Sequence, residues 1–568
     1  MKILSLILLA VLLTHPISAQ APEVVGMSPA AQSLTALPTD AITLTFDQSL
    51  EEATVTADSF MVFGRWSGPM PGTFSFNGSA TEVTFTPARA FFYGEWITVR
   101  LTNAIESTGG DPITHGYGYN YWIKTLPGSL DQTLVNQFSV EQAGETFIQS
   151  YGAYAGDVND DEFTDLVVIT ETAEDIRVFL NDGTGDYDTF TIFDMPASNR
   201  PSTNEGADFN HDGQIDLAIG STNNNQVSIF MGDDTNIFDP ETSATSDEGI
   251  RGLTVLDVNG DGWDDIATAN RNASTYSILV NDGTGDFNPA IVADAGVGSE
   301  TSIAAVDLNN DGITDLAIGG FASNNVVTLI NDGQGNFTNM DTTPVSGSPW
   351  MLAAGDINGD GNVDIVSCNS SNGEVSVLAG DGNGNLNLLA SYPSGDFCLA
   401  IDLGDVDGDG DLDFIASNFG NADFTLYEND GAGNFVNPRT YDAVEAGSCA
   451  IFHDRNNDGA MDITLIDEIE DVIILYENTL LNSEENILSN TIIYPNPFTN
   501  QLNITTGNST FPIVFRLYDV QSRLLYTEEI TSAKTIRLPN TIGATGFYIA
   551  EIEQEGQISR KKLLKKRR

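Results

Sequence analysis

Seven short loops in this sequence carry aspartate or asparagine at alternating positions. In the loop DVNGDGWDD, residues 257–265, the acidic or amide side chains stand at positions 1, 3, 5 and 9, and a near copy, DINGDGNVD, begins at Asp356. Oxygen ligands at alternating positions, a glycine at position 6 and a backbone carbonyl expected at position 7 are typical of a site for a hard cation. Tolerance of irregular geometry favours Ca²⁺ over Mg²⁺. The spacing therefore predicts a calcium site.

All seven loops have Asp at positions 1, 5 and 9 and Asn or Asp at position 3. The predicted metal ligands are Asp157, Asn159, Asp161 and Asp165; Asp208, Asn210, Asp212 and Asp216; Asp257, Asn259, Asp261 and Asp265; Asp307, Asn309, Asp311 and Asp315; Asp356, Asn358, Asp360 and Asp364; Asp405, Asp407, Asp409 and Asp413; and Asp454, Asn456, Asp458 and Asp462. We expect up to seven Ca²⁺ ions, one for each loop. A turn rich in Asp and Asn that binds no metal is the alternative. The first loop departs most from the pattern, because Glu162 replaces the turn glycine.

The loops recur with a period of about fifty residues. Their first residues are separated by 51, 49, 50, 49, 49 and 49 residues. Such regularity predicts a repeat architecture in which each unit is one supersecondary element. Each unit contains four β-rich runs, and sequences such as NDGTGDF at Asn281 supply hairpin residues between the third and fourth runs. The pattern predicts an all-β fold with a seven-bladed β-propeller over residues 132–478.

The last repeat lacks a fourth strand of its own. The segment from Val135 to Gly144 stands ahead of the first loop where fourth strands stand before the other loops. We therefore expect this N-terminal strand to complete the last blade, which would remove exposed sheet edges. An open ring of six and a half blades is the alternative.

The repeats resemble a known family. DVNGDGWDDIA and its copies, together with NDGTGDF, are similar to FG-GAP/VCBS repeats over roughly residues 132–478. The resemblance implies the seven-bladed propeller of integrin α chains and of many secreted bacterial proteins. It also implies that the metal loops join the first two strands of each blade and that ligands meet the other face of the ring. It does not specify a ligand.

Two smaller domains and a leader flank the repeats. Residues 1–19 have Lys2 ahead of an apolar run and end in small residues, as a cleaved signal peptide does, and no later run predicts a transmembrane segment. Residues 22–126 show alternating apolar segments and resemble bacterial Ig-like β-sandwich domains. We interpret their tryptophans, Trp66, Trp96 and Trp122, as core or turn residues rather than a ligand platform.

The C-terminal residues 490–568 follow a polar linker, 479–489. They contain a Pro495-Asn496-Pro497 turn, an LYD strand, Gly546 with Tyr548, and the terminal KKLLKK. Together these resemble the C-terminal sorting domain of the type IX secretion system of Bacteroidetes, a small β-sandwich, although Ser522 stands where that family has glycine. The resemblance implies that the secretion machinery is a partner and that the protein is secreted or held at the outer cell surface after export to the periplasm.

Composition narrows the partners further. The chain has 22 basic and 81 acidic residues and a net charge of -59, which argues against nucleic acid or an anionic membrane surface. The three cysteines, Cys368, Cys398 and Cys449, lie in or beside apolar segments, so we interpret them as buried free thiols, with one disulfide as the alternative.

No catalytic constellation is visible in the sequence. After the signal, His115, His211 and His453 are scattered, and the paired carboxylates are already assigned to metal loops. We expect a calcium-stabilised binding or adhesion protein whose ligand is a glycan or a protein. The alternative is an extracellular polysaccharide lyase or hydrolase. Loops rich in Asn, Ser and Gly, and Trp350, are the candidate ligand contacts on the face opposite the metal loops.

Overall fold

A computed structural model describes residues 21–187, 189–233 and 235–480 continuously. Beyond them it describes 492–494, 498–499, 501–505, 513–519, 523–530, 534–538, 546–554 and 557–566. The predicted signal peptide, linker residues 481–489, the Pro495-Asn496-Pro497 turn and Ser522 lie outside these ranges. Apart from one 3-10 turn, Glu52–Thr54, every regular element of the described residues is a β-strand, so the all-β prediction is confirmed. The chain divides into two compact units, Met1–Thr479 and Leu480–Arg568.

The first unit begins with a sandwich of two four-stranded sheets, which we call the Ig-like region. One sheet contains Val24–Ser28, Ile42–Phe46, Glu82–Pro87 and Gly72–Phe76; the other contains Gly68–Pro69, Phe60–Gly64, Trp96–Leu101 and Tyr117–Trp122. Alternate residues along these strands are buried, as in Ile42–Phe46, because successive side chains of a strand point to opposite faces. Leu44, Val83 and Val99 lie in the shared core.

Seven four-stranded antiparallel sheets follow, and each is called a blade. The blades, with strands in hydrogen-bonded order, are blade 1, Ser150–Gly156, Asp165–Thr170, Asp175–Phe179 and Phe190–Asp194; blade 2, Pro201–Ala207, Asp216–Ser221, Gln226–Phe230 and Thr242–Thr245; blade 3, Ile250–Leu256, Asp265–Asn270, Thr275–Leu279 and Ile291–Ala293; blade 4, Glu300–Val306, Asp315–Gly320, Asn325–Asn331 and Phe337–Pro344; blade 5, Pro349–Gly355, Asp364–Asn369, Glu374–Gly380 and Leu386–Pro393; blade 6, Cys398–Gly404, Asp413–Asn418, Asp423–Asn429 and Phe435–Asp442; and blade 7, Gly447–His453, Asp462–Asp467, Val472–Glu477 and Thr133–Ser139. Blade 2 also carries a short hairpin, Gly232–Asp233 with Ile237–Phe238.

The blades form a closed ring. The first strands of consecutive blades contact one another, and the first strand of blade 1 contacts that of blade 7. The N-terminal strand Thr133–Ser139 pairs antiparallel with Val472–Glu477 and is the fourth strand of blade 7, as the sequence predicts. Hydrogen bonding between the two ends of the repeat leaves neither end as a free edge inside the ring.

The second strand of every blade begins at the closing Asp of its loop, and the next residue is fully buried. That residue is Leu166, Leu217, Ile266, Leu316, Ile365, Phe414 or Ile463, each 0% exposed. All six residues of each second strand are buried, because the strand lies inside its blade and between neighbouring blades.

The structure corrects the interpretation of the cysteines as free thiols. Cys368 and Cys398 form a disulfide, with Cα atoms 5.7 Å apart, and only Cys449 is free. Cys368 lies on the second strand of blade 5 and Cys398 begins the first strand of blade 6, so the bond joins two neighbouring blades. Apolar surroundings in the sequence could not distinguish a buried thiol from a buried half-cystine, because both are apolar.

The second unit also consists of two sheets. One contains Ile492–Tyr494, Gln501–Thr505 and Lys534–Arg537; the other contains Leu524–Ile530, Ile513–Asp519, Gly546–Gln554 and Gln557–Lys565. Phe498, Leu517 and Tyr548 belong to its buried core. Throughout the described residues, no helix has the length and apolar character needed to cross a membrane.

Candidate functional site

The seven carboxylate loops connect the first and second strands of their blades, so they all lie on one face of the ring, here called the loop face. The third loop shows the common hydrogen bonding. Its position 1 side chain, Asp257, accepts bonds from the backbone N–H groups of Asp261 and Gly262 at 3.2 and 2.8 Å. Asn259 Oδ1 accepts from the Asp261 N–H at 3.0 Å. The oxygen atoms thus converge on the inside of the turn, where backbone donors meet them.

The closing aspartates link each loop to the rest of its blade. Asp265 accepts the Val258 N–H at 2.9 Å with one oxygen and the Asn281 N–H at 2.8 Å with the other. Burial raises the pKa of these groups, to about 8 for Asp165, Asp216, Asp265, Asp315 and Asp462 and to about 7 for Asp364. Ionised closing carboxylates therefore carry a desolvation cost that a nearby cation would offset.

The sixth loop differs from the other six in having an acid, Asp407, instead of asparagine at position 3. Among the residues that the structure describes, the one group of three acidic side chains whose oxygens can reach a common ion is Asp405, Asp407 and Asp409, with those atoms within 4.8 Å of one another. Asp405 is 4% exposed, and neither of its carboxylate oxygens has a hydrogen-bond partner among the described residues. Burial raises its pKa to about 6. The closing Asp413 is not in this group; its oxygens accept the N–H groups of Val406 and Asn429.

In the first loop, an arginine side chain contacts the carboxylate at position 1. Arg89 of the Ig-like region donates from Nη1 to Asp157 Oδ2 at 3.2 Å and to Asp160 Oδ1 at 2.7 Å. Glu162 adopts a φ of 67°, in the left-handed region that Gly262 adopts at the same position with 95°. This loop therefore keeps the turn without its glycine, and its position 1 carboxylate already has a cationic partner.

The Ig-like region and the residues that follow it cover the loop face. Backbone N–H groups of residues 103, 118, 126 and 128 donate to backbone carbonyls of residues 260, 312, 459 and 407, at 2.6 to 2.9 Å. These acceptors belong to loops 3, 4, 7 and 6. Arg100 also pairs with Asp264 in loop 3, and Arg65 pairs with Asp402 on the first strand of blade 6 at 2.9 Å. The carboxylate loops and the Ig-like region are thus the two sides of one interface.

The three tryptophans of the Ig-like region lie at this interface. Trp66 is 1% exposed and Trp122 is 5% exposed, and both pack with propeller residues rather than inside the sandwich. Trp96 packs edge-on against Trp122. They help to close one end of a cavity of about 340 Å³ that is lined by the first strands of all seven blades. The buried positions of Trp66 and Trp122 and the half-buried position of Trp96 agree with the prediction that these residues do not form an exposed platform.

The predicted ligand loops lie on the other face, here called the opposite face. Second strands run away from the loop face, so the turns that follow them, in residues 221–226, 270–275, 322–325, 369–373 and 418–423, are on the opposite face. Trp350 lies there too, near the start of the first strand of blade 5. Besides the predicted polar loops and Trp350, this face carries Phe321, Phe397 and Phe419, which form a continuous row of ring contacts with Trp350.

Sequence reasoning missed the asparagines that join neighbouring blades. Asn281, Asn331 and Asn429 each donate from Nδ2 to a carbonyl of the preceding blade's loop, namely Phe209, Val258 and Ile357. Asn181 makes the same bond to Arg455, which joins blade 1 to blade 7. The repeated NDG sequence contains this asparagine. The motif was interpreted only as a hairpin turn, so a hydrogen bond from the asparagine to the neighbouring blade was not predicted.

Two of the histidines, His453 and His211, take structural positions. His453 is fully buried between the hydroxyls of Thr164 and Thr464, at 2.9 and 2.8 Å, and burial lowers its pKa to about 3. His211 stacks on Trp263 with ring centroids 3.9 Å apart. Neither is arranged with a nucleophile and an orienting carboxylate.

Comparison with family models gives three matches. FG-GAP-like repeat matches residues 157–219, 208–268, 257–318, 307–367, 356–416 and 405–465, a span of more than half of the 568 residues. Bacterial Ig-like domain matches residues 18–122, and secretion system C-terminal sorting domain matches residues 492–566. The sorting domain assigns the chain to export by type IX secretion to the cell surface or the extracellular space, as predicted.

Comparison with solved structures gives distant similarities. BBS1N in complex with ARL6DN is 11% identical, with a TM-score of 0.45 over 62% of this chain and 98% of that one. A lectin of Agrocybe aegerita that recognises non-reducing terminal N-acetylglucosamine is 18% identical, with a TM-score of 0.37 over 77% and 99%. A protein from Lactobacillus plantarum is 13% identical, with a TM-score of 0.40 over 69% and 98%. No curated protein sequence matches the chain.

Proposed function

This chain belongs to the family of FG-GAP-like repeat proteins, and we propose that it is a calcium-stabilised binding or adhesion protein that uses the opposite face of its propeller to hold a glycan or protein ligand. Export by type IX secretion brings it to the cell surface or the extracellular space, where such ligands are found. The observation that carries the proposal is the division of the propeller into two unlike faces. Backbone and arginine contacts of the Ig-like region occupy the loop face, while the opposite face presents polar turns and aromatic rings that are half-buried or, at Phe397, exposed.

Calcium fits the sixth loop best. Asp405, Asp407 and Asp409 would hold the ion, because their oxygens converge and the buried oxygens of Asp405 lack other partners. A bound divalent cation would neutralise carboxylates that burial otherwise makes costly to ionise. The other loops would contribute their own position 1, 3 and 5 oxygens, and the first loop is the poorest candidate because Arg89 contacts Asp157.

Calcium binding can be measured on the whole chain. Extracellular sites commonly have dissociation constants of about 10⁻⁴ to 10⁻³ M, so each occupied site would add about 0.4 to 1.4 kcal/mol at roughly millimolar Ca²⁺. We expect a melting temperature several degrees higher in excess Ca²⁺ than in EDTA, with Mg²⁺ less effective. The double substitution Asp407→Asn and Asp409→Asn should remove one equivalent of bound calcium in equilibrium dialysis. Identical melting curves and no bound calcium would show that the loops are turns only.

A ligand screen tests the binding function and separates it from the enzymatic alternative. The whole chain is incubated with a panel of polysaccharides and extracellular proteins, and both retention and the release of new reducing ends or unsaturated products are measured. Retention without products supports a binding protein. Product formation would favour the lyase or hydrolase, and the absence of retention on every probe would contradict the proposal.

A further inference from the structure

Three residues from alternate blades meet where the cavity reaches the opposite face. Tyr151, Arg251 and Trp350 stand near the start of the first strands of blades 1, 3 and 5. Trp350 Nε1 donates to the Tyr151 hydroxyl at 3.1 Å, and Arg251 Nη1 contacts the same hydroxyl at 3.3 Å. The Arg251 guanidinium lies 5.3 Å from the Trp350 ring centroid and 5.7 Å from that of Tyr151. Residues so far apart in sequence come together only because they surround the ring axis.

A second arginine extends this cluster over the aromatic row. The Arg271 guanidinium lies 4.2 Å from the Phe321 ring centroid and 4.9 Å from that of Trp350. Trp350 in turn contacts Phe397 with centroids 5.4 Å apart, and Phe397 is 41% exposed. Two guanidinium groups and an accessible aromatic ring therefore share one surface, which we call the arginine–aromatic patch: Arg251, Arg271, Phe321, Trp350 and Phe397.

Within the part of the chain that the structure describes, neither arginine of the patch is paired with a carboxylate. Residues 132–478 contain six arginines and no lysine. Arg177, Arg439 and Arg455 have carboxylate partners, whereas the half-buried Arg251 and Arg271 and the exposed Arg200 have none within 4.0 Å among the described residues. Burial lowers the pKa of Arg271, and the nearby charge of Arg251 lowers it further.

Two of the glutamates on the same face, Glu468 and Glu171, lie near this patch; burial raises the pKa of Glu468, and the charge of Arg251 opposes that rise. Glu468 accepts from Gln149 at 2.7 Å, and Glu171 accepts from the Thr222 hydroxyl at 3.2 Å. Two adjacent guanidinium groups without a carboxylate within 4.0 Å among the described residues repel one another, and a bound carboxylate would relieve that repulsion. A guanidinium binds a carboxylate through two parallel hydrogen bonds, which gives geometric selectivity in addition to attraction.

We propose that the arginine–aromatic patch binds carboxylate-bearing sugar residues of an acidic polysaccharide. The arginines hold the sugar carboxylate, and the exposed ring of Phe397 packs against the apolar face of the sugar. The surrounding turns, rich in Asn and Ser, offer amide and hydroxyl partners for sugar hydroxyls. This inference rests on the proposed binding function and specifies its ligand class.

The test compares binding of the whole chain to matched charged and neutral probes. Polygalacturonate, alginate and hyaluronate carry carboxylates; fully methyl-esterified polygalacturonate and dextran do not, and poly-glutamate carries carboxylates on a peptide. The variants are Arg271→Gln, Arg251→Gln, Arg271→Lys and the control Arg200→Gln, which removes an exposed arginine elsewhere on the opposite face. Melting temperature is measured for each variant to verify folding.

We expect at least one carboxylated polysaccharide to bind the wild-type chain. Its affinity should be at least tenfold lower for Arg271→Gln and less than twofold lower for Arg200→Gln. Arg271→Lys should show an intermediate loss, because lysine keeps the charge but not the planar fork. Equal binding of the methyl ester, equal effects of Arg200→Gln and Arg271→Gln, or binding of poly-glutamate as tight as that of every polysaccharide would overturn the inference. Binding of neutral glycans alone would also overturn it while leaving the proposed binding function intact.

Discussion

Glu468 is a buried carboxylate on the opposite face, 5% exposed. Its Oε1 accepts a hydrogen bond from Gln149, and its Oε2 has no partner among the described residues. Burial raises the pKa of Glu468 to about 7. Because this value lies above the roughly 4.3 of a glutamate in an unfolded chain, the folded state binds the proton more tightly. The stability gained from this group is complete below about pH 4.3 and is lost as the pH rises through about 7.

The substitution Glu468→Gln should remove this pH dependence. Wild type should lose on the order of 2 kcal/mol more than the variant in free energy of unfolding between about pH 5 and pH 8. Urea unfolding of wild type and variant at several pH values measures the difference between their free energies of unfolding. The aspartates are the same in both proteins, so their contributions cancel in this difference. Parallel stability curves would mean that Glu468 is ionised throughout this range.

At the scale of the element, the asparagine at the end of the third strand holds its blade to the preceding one. Asn429 is 1% exposed; its Nδ2 donates to Ile357 O and Leu412 O at 2.8 and 3.0 Å, and its Oδ1 accepts the N–H groups of Gly431 and Gly433. Asn429→Ala would leave these four groups without their partner, so we expect a loss of about 2 to 4 kcal/mol in free energy of unfolding.

Asn434→Ala is the matched control for Asn429→Ala. Asn434 lies in the same hairpin, is exposed and bonds to the exposed Asp430, so its removal should cost less than about 1 kcal/mol. Chemical denaturation of the two variants gives the comparison. Similar small losses would show that the bond between blades does not stabilise the ring.

Periodic elements were predictable because each of their determinants repeats. Asp at position 9 followed by an apolar residue fixes the start of each second strand, and seven copies make the pattern unmistakable. The contacts between elements were not predictable in this way. Arg251 and Trp350 are 99 positions apart and no repeat unit shares them, and Cys368 could be paired only once blades 5 and 6 were adjacent in space. The period of the repeat predicts the ring. Contacts between single residues on different blades can be identified only from the three-dimensional structure.

At the scale of the whole molecule, we expect export to depend on the C-terminal unit. Residues 492–566 match the sorting domain, and Met1–Thr479 is compact without them. A chain that ends at Asn482 should therefore fold and remain in the periplasm of a native host, while the full chain reaches the surface or the medium. Fractionation with circular dichroism of the recovered protein measures both properties, and efficient export of the shorter chain would contradict the assignment.

The other feature of the whole molecule is the union of the Ig-like region with the propeller. Arg65 Nη1 bonds to Asp402 Oδ1 at 2.9 Å, and Asp402 Oδ2 accepts the Phe452 N–H at 2.9 Å. The Asp402 side chain is 8% exposed, so removal of Arg65 would leave a buried carboxylate without its cation. If the two parts unfold together, Arg65→Ala should lower the free energy of unfolding by about 1 to 3 kcal/mol and shift a single transition.

Arg439→Ala provides the comparison for Arg65→Ala. Arg439 pairs with Asp131, whose side chain is 75% exposed, and such solvent-exposed pairs contribute about 0 to 1 kcal/mol. A double-mutant cycle between Arg65→Ala and Asp402→Asn isolates the coupling across the interface from the separate Phe452 bond. Calorimetry that shows two independent transitions, with only the lower one moved by Arg65→Ala, would mean that the Ig-like region is tethered to the loop face without stabilising it. A single transition that both substitutions lower, with a coupling free energy above about 0.5 kcal/mol, would make the Ig-like region part of the structural support of the carboxylate loops.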